Sequence, residues 1–246
     1  AFEQIGSTMY VGGNFTGVQK GKNGSEITSR GLAAFDATTG DWNGQTFDFN
    51  NQVKDLVELP GGKLLAVGDF TKVNGETHVG TVLIDAATGQ IDPSWDLQIR
   101  NGNASVVTVK AAKVIGQHIY LGGAFTHLTG NGSSSVYARN GARLDLSGKP
   151  DRSWNPEFNG SVIDIDVDEN DSYYYAAGHF TRAHDLVAEN AARLGTGAGA
   201  ELDQSWSFRH SYFIGKYQQA VTVGNGRVYF GGSQHSLFGY NTSDMT

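Results

Sequence analysis

The side chains best suited to chemistry in this chain recur at fixed repeat positions and form no compact local motif. Lys72, His127 and Arg182 each follow a Phe-Thr dipeptide, and Asp69 and His179 each stand directly before the Phe of one. Equivalent positions of a repeat occupy equivalent places in a fold, so these five residues are expected to ring one end of a common axis. Two strong cations, a carboxylate and two imidazoles arranged in that way suit hydrogen bonding to a polar ligand or to a partner surface. Ordinary solvated loop residues are the plainer reading of the same five.

Other candidate chemistry is weaker. Asp164-Ile165-Asp166-Val167-Asp168-Glu169-Asn170-Asp171 has the oxygen-rich look of a calcium loop. An EF-hand loop needs Gly at its sixth place and Glu at its twelfth, where this chain has Glu169 and Tyr175. The stretch therefore reads as a strand with Asp164 and Asp166 on its exposed face, running into a hairpin turn. The histidines His78, His118, His127, His179, His184, His210 and His235 include no pair at a known ligand spacing, so no metal site is expected. There is no Cys, which excludes thiolate catalysis and Cys-ligated metals. Asn-x-Ser/Thr triplets are frequent, among them Asn23-Gly24-Ser25, Asn103-Ala104-Ser105 and Asn159-Gly160-Ser161, and they read as turns.

The elements that must position these residues follow from one phrase written five times. Met9-Tyr10-Val11-Gly12-Gly13-Asn14-Phe15-Thr16 returns as Leu64-Leu65-Ala66-Val67-Gly68-Asp69-Phe70-Thr71, and again ending at Gly123-Ala124-Phe125-Thr126 and Gly178-His179-Phe180-Thr181. A worn copy, Val228-Tyr229-Phe230-Gly231-Gly232, closes the series. The last Gly of each copy stands at 13, 68, 123, 178 and 232, so the spacing is 55 residues three times and 54 once. Periods of roughly 50 residues mark propellers and arrays.

An alternating segment such as Val53-Lys54-Asp55-Leu56-Val57-Glu58-Leu59 precedes each phrase and predicts a hairpin partner strand. A polar excursion follows (residues 17–30, 72–80, 127–140 and 182–190), then a third strand such as Leu32-Ala33-Ala34-Phe35-Asp36. Aromatic segments, Phe47-Asp48-Phe49, Ser94-Trp95-Asp96, Ser153-Trp154-Asn155 and Ser205-Trp206-Ser207, are read as a fourth. The fold expected is all-β: a β-propeller of ~55-residue four-stranded blades. It is five-bladed, four full blades plus a partial one, with bounds near 1–50, 51–100, 101–158, 159–208 and 209–246 in a single domain. A share of a larger ring is the alternative. The Phe of the phrase and the Trp of the aromatic segment are expected to pack between blades.

Composition agrees with this class. The 246 residues include 34 Gly and only 4 Pro, with 39% hydrophobic and 17% charged residues. A net charge of −7 argues against a nucleic-acid groove, which needs clustered Lys and Arg. No apolar run approaches the ~20 residues that a membrane helix requires. The chain opens at Ala1 without a Met, which fits processing or a longer parent protein.

The Gly-Gly-x-Phe-Thr strand, a variable loop, Ala-Arg-Leu-Asp (residues 142–145) with a Gly turn, and a later Trp or Phe together resemble the delta-60 type β-propeller repeat family. The likeness runs from Phe2 to about Phe230; Val67 and Ala177 replace the first Gly, and the fifth copy lacks Phe-Thr. It implies a secreted or cell-surface bacterial protein that often carries adhesive or carbohydrate-binding modules, and it implies no reaction. Ala34-Phe35-Asp36-Ala37-Thr38-Thr39-Gly40 echoes a turn of quinone-dependent dehydrogenases. The partner residues that hold the quinone are missing, so the segment reads as a β-turn in which Asp and Thr bond the backbone, and no cofactor is expected. Scattered arginines do not make a sialidase site.

The functional expectation is a non-enzymatic extracellular or cell-surface binding module. A protein or glycan partner would meet the face where the four excursions gather, and further domains or subunits would flank it. A structural subunit of a surface assembly is one alternative, and a propeller hydrolase or lyase is another.

Overall fold

Five three-stranded antiparallel sheets follow one another along the chain, one for each copy of the phrase. They are seen in a computed structural model that describes residues 1–102, 104, 106–205, 217–233 and 237–244. Asn103, Ser105, Trp206, Ser207, His210 and His235 lie outside the described residues. Sheet one is Phe2–Ile5, Thr8–Gly12 and Leu32–Asp36; sheet two is Val53–Leu59, Lys63–Gly68 and Thr81–Asp85. Sheet three is Thr108–Ile115, His118–Ala124 and Gly141–Asp145; sheet four is Val162–Val167, Tyr173–Gly178 and Ala191–Gly195. Sheet five is Gln218–Gly224, Arg227–Gly232 and Leu237–Asn241. In every sheet the recurring phrase is the central strand. Asn225 and Gly226, both at positive φ (52° and 72°), show the turn chemistry that closes these tight hairpins.

The glycines of the phrase answer to a distortion in the strand beside them. The first strands of sheets two to five each carry a β-bulge at the same register, with Lys54, Lys110, Ile163 or Gln219 as the extra residue. There the backbone swings against the central strand. A Cβ on Gly68, Gly123, Gly178 or Gly232 would lie 2.2–2.4 Å from the backbone oxygen of Gln52, Thr108, Ser161 or Tyr217. Gly123→Ala must push that strand aside and is expected to cost about 2 kcal/mol, read by denaturant titration. A cost under about 0.5 kcal/mol, the range of neutral surface changes, would show that the strand yields freely.

The core lies between sheets, with one apolar cluster for each neighbouring pair. Phe49, at the end of the first repeat, meets Phe70 of the second edge-on at 4.8 Å, and Phe158 meets Phe180 at 4.4 Å. Trp154 stands between Tyr120 of sheet three (5.3 Å) and Tyr174 of sheet four (5.0 Å). The Phe and Trp of the repeat therefore join one sheet to the next, as expected.

The fourth strand is a correction. At the outer edge of sheets one to four there is only a single bridge, Phe35 to Trp42, Ile84 to Ile91, Leu144 to Pro150 and Leu194 to Leu202. The reason is local. Directly after the bridge residue, Asp92, Asp151 and Asp203 each accept the N–H and hydroxyl of the Ser two places on. This turn diverts the chain before a ladder can form, and Pro150 has no N–H to offer one. Trp95 and Trp154 then pack into the seams instead of pairing, while Phe49 bridges Val73 of the second ribbon.

Candidate functional site

The polar excursions fold into small antiparallel ribbons at the same point of four repeats. They are Gly17–Val18 with Ile27–Thr28, Lys72–Val73 with Glu76–Thr77, His127–Thr129 with Val136–Tyr137, and Arg182–Ala183 with Leu186–Val187. An Asn at the end of the preceding repeat pins two of them identically. Asn50 accepts the N–H groups of Thr71 and Lys72 and donates to the Thr71 hydroxyl; Asn159 does the same for Thr181 and Arg182. The third ribbon is braced by Gln98–Arg100, which pairs with His127–Thr129.

Lys72, His127 and Arg182 open the three ribbons at one register. Opposite them across the ribbon stand Thr77, Tyr137 and Val187. The imidazole of His127 meets the Tyr137 ring at 5.3 Å and the Thr126 hydroxyl at 2.9 Å. The Arg182 guanidinium donates to the Asp185 carbonyl of its own ribbon at 2.7 Å. Tyr137 is 44% exposed and Val187 46%, so each pair shows water a polar head beside an apolar or hydroxyl-bearing neighbour. Among the described residues no hydrogen bond, ion pair or ring contact links one pair to the next. What relates them is register alone.

Asp69 and His179 belong to a different neighbourhood, the bulge end of the first strands. The Asp69 N–H bonds Gln52 O and the His179 N–H bonds Ser161 O. The Asp69 carboxylate meets Lys54, the bulge residue, at 3.2 Å, and Lys54 also donates to Gln52 Oε1 at 2.5 Å. Asp69 Oδ1 is buried without a partner. His179 stacks on Tyr217 of the next repeat at 4.3 Å, and Gln219, another bulge residue, donates to the Tyr217 hydroxyl. The five candidates thus fall into two groups, three on ribbons and two beside the bulges. Lys54, Tyr217 and Gln219 complete the second group. Residues inserted between paired positions follow no strand alternation, so the sequence pattern does not flag them.

Further along the first strands, which lie side by side in chain order, carboxylates reach from sheets one, two and four to the unpaired edge of the next. Glu3 accepts the Glu58 N–H, Asp55 that of Ala112, Asp164 that of Val221 and Asp166 that of Val223, at 2.8–3.0 Å. Lys113 joins Asp166 at 2.8 Å. Burial pushes Asp55 above the usual carboxylate range. It pushes Asp164 up to about 6, helped by the charges of Asp55 and Asp166. Asp164 and Asp166, the start of the calcium-like run, are committed to backbone donors, and the Asp168 carboxylate closes the hairpin onto Ser172 and Tyr173. Among the described residues no group of three or more acidic or histidine side chains is placed to hold a metal ion.

A further constellation joins successive repeats. Asp92, Asp151 and Asp203, each in an Asp-x-Ser-Trp segment, take Lys63, Arg143 and Arg193 on their second oxygen at 2.6–3.0 Å. Arg143 reaches on to the Thr196 carbonyl of sheet four and Arg193 to the Thr242 carbonyl after sheet five. The Ser94 hydroxyl and N–H, with Lys63 behind them, hold Asp92 down at about 2. These groups are consumed by structure. The recurrence of Asp-x-Ser-Trp with a basic residue upstream was a visible signal of the staple.

No protein-family profile matches the chain, and no curated protein matches it. Among solved structures, the chain is similar to the extracellular domain of a one component system of B. thetaiotaomicron, with a TM-score of 0.56 at 10% identity. The match covers 97% of this chain and 26% of that one. The chain therefore spans about a quarter of the length of the structure it resembles.

Proposed function

We propose that the five sheets are successive blades of a β-propeller of the delta-60 repeat type, and that it serves as a non-enzymatic binding module outside the cell or at its surface. Support for a successive arrangement comes from the first strands, which lie side by side in chain order and are joined by bonds such as Ala112 N–H to Asp55 and Val221 N–H to Asp164. The extracellular setting rests on the likeness to an extracellular domain.

The binding role is carried by one observation: Lys72 with Thr77, His127 with Tyr137 and Arg182 with Val187 stand at the same register of three consecutive ribbons. Rigid sheets that hold variable ribbons in register are a common way to display recognition residues. Their chemistry, cations and hydroxyls beside an exposed Tyr, fits a protein or glycan partner. Probing an array of glycans and matrix proteins tests this. The triple variant Lys72→Ala, His127→Ala, Arg182→Ala, and Tyr137→Ala alone, are each expected to weaken capture about tenfold or more, as loss of central Arg or Tyr contacts does. Capture unchanged in both variants would remove the ribbon face from consideration.

A further inference from the structure

Repeat three carries a longer ribbon than its neighbours. Residues 130–135 run between its two strands, where the ribbons of repeats two and four turn through residues 74–75 and 184–185 alone. The added loop is tied down. Asn131 donates its N–H to Asp96 at 2.6 Å and its side-chain amide to the Ser147 hydroxyl at 2.5 Å. Arg152 donates to the Ser134 hydroxyl at 2.8 Å and the Ser135 carbonyl at 3.2 Å. The loop is thereby laced to the outer edge of its own sheet, where Leu144 bridges Pro150. Between loop and edge lies a cleft of about 520 Å³, within the range of about 300–1,000 Å³ usual for small-ligand sites. Sheet two packs on one side of sheet three and sheet four on the other, so the opening belongs to the repeat itself. Repeat one has the other long ribbon loop, residues 19–26, and it forms a cleft of the same kind, clasped by Lys20 and Asp41 at 2.6 Å.

The polar groups that line the repeat-three cleft are unequally committed. Asp151 is spent on both oxygens, Oδ1 accepting from Ser153 and Oδ2 from Arg143. Asp145 accepts two bonds from Ser147 and one from the Lys149 N–H, all of them on Oδ1. The donors are largely unspent. Among the described residues the Lys149 ammonium makes no hydrogen bond or ion pair. Arg152 bonds through Nη2 alone, which leaves Nε and Nη1, and the Ser133 and Ser134 hydroxyls accept without donating. We propose that this cleft binds an acidic sugar. The planar fork of Arg152 matches a carboxylate, and Lys149 adds a second charge to the same lining. The two Ser hydroxyls can donate to sugar oxygens, and Asp145 Oδ2 can accept from a sugar hydroxyl. A neutral sugar would leave both cations uncompensated, and a bare anion would leave Asp145 Oδ2 unused. The lacing of the loop sets the donors in place before the ligand arrives, which lowers the cost of binding. Lys72, His127, Tyr137 and Arg182 do not line the cleft, so this site and the ribbon face stand or fall separately.

Amide chemical shifts of the isotope-labelled chain, titrated with methyl glucuronide, methyl glucoside and acetate, test this. The glucuronide is expected to shift the amides of residues 133–136 and 149–152 saturably. The glucoside and acetate are each expected to bind about tenfold more weakly or worse, the usual cost of losing a hydrogen bond to a charged group. Lys149→Ala removes an ammonium that holds nothing within the protein, and it is expected to weaken the glucuronide by about the same factor while the spectrum elsewhere stays unchanged. Arg152→Lys keeps the charge without the fork and is expected to weaken it as well. The absence of a saturable shift with the glucuronide overturns the proposal, and so does equal binding of the glucoside. Acetate that binds as tightly as the glucuronide also overturns it, because the cleft would then be an anion site with no use for a sugar. So does binding that survives Lys149→Ala, or that is lost instead in the triple variant of the ribbon face.

Discussion

Replacing Arg143 by alanine is expected to destabilise the protein by about 3–5 kcal/mol, the usual cost of leaving one partner of a buried ion pair alone. The side chain is 10% exposed and donates twice to Asp151 Oδ2, at 3.0 and 2.6 Å, and once to the Thr196 carbonyl of the next sheet. Burial alone would raise the Asp151 pKa, yet the Ser153 hydroxyl and Arg143 together hold it below the usual range. Removing the guanidinium therefore strands a half-buried carboxylate and a carbonyl at the seam between sheets three and four. Arg143→Lys keeps the charge but not the planar fork, so its loss should fall between wild type and alanine. Urea unfolding followed by the fluorescence of Trp154, which sits in the same seam, reads both. A loss below about 1 kcal/mol for alanine, the level of a surface pair, would mean that the staple is ornamental.

Asp164→Asn is expected to remove an ionisation penalty of about 3 kcal/mol at neutral pH and so to flatten the dependence of stability on pH between about 4 and 6. The carboxyl titrates at about 6 in the folded chain against an ordinary value of 3.8, burial being the main cause, with Asp55 and Asp166 adding repulsion and the Val221 and Ile165 N–H groups opposing it. Its folded pKa is raised, so the unfolded chain gives up the proton first as pH rises. No penalty exists below about 4; it grows through the interval and is constant above about 6. Asparagine keeps an oxygen for the Val221 N–H and carries no charge, but gives up the bond from the Ile165 N–H, whose acceptor becomes an NH2 group. Asp92, Asp151 and Asp203 are shifted the other way; they add stability as pH rises, and they do so below their ordinary value, outside this window. Melting temperatures of wild type and variant across pH decide the matter. Parallel curves would refute the assignment.

Much of the fold was legible because packing and backbone geometry repeat whenever the phrase does. The second Gly at 13, 68, 123, 178 and 232 reports a close approach that no Cβ survives in sheets two to five, and the Phe and Trp positions report the seams. The third strands and their Asp turns were equally readable: Asp36, Asp85 and Asp145 each close their own turn through backbone N–H groups. The fourth strand was misread because Trp95 and Trp154 look like strand residues by composition, while the Asp three places earlier ends the pairing. The candidate residues were found by register, yet register could not show that Lys72, His127 and Arg182 sit on ribbons whereas Asp69 and His179 sit beside bulges. Asp164 and Asp166 were expected on an exposed face; they are drawn in instead by the bare N–H groups of sheet five, a partner 57 residues away in sequence.

The bulge that recurs in four first strands has a consequence for how such a protein diversifies. A residue inserted between ladder positions is released from the alternation that commits its neighbours to one seam or the other. At this place the chain carries Lys54, Lys110, Ile163 and Gln219, a cation twice, an aliphatic and an amide, all at least partly exposed. The Gly that accommodates the bulge does not vary, and the residue it accommodates does. Mutational drift can therefore rewrite the chemistry at this end of the sheets one position at a time without disturbing the seams, so that folding and surface chemistry are inherited separately.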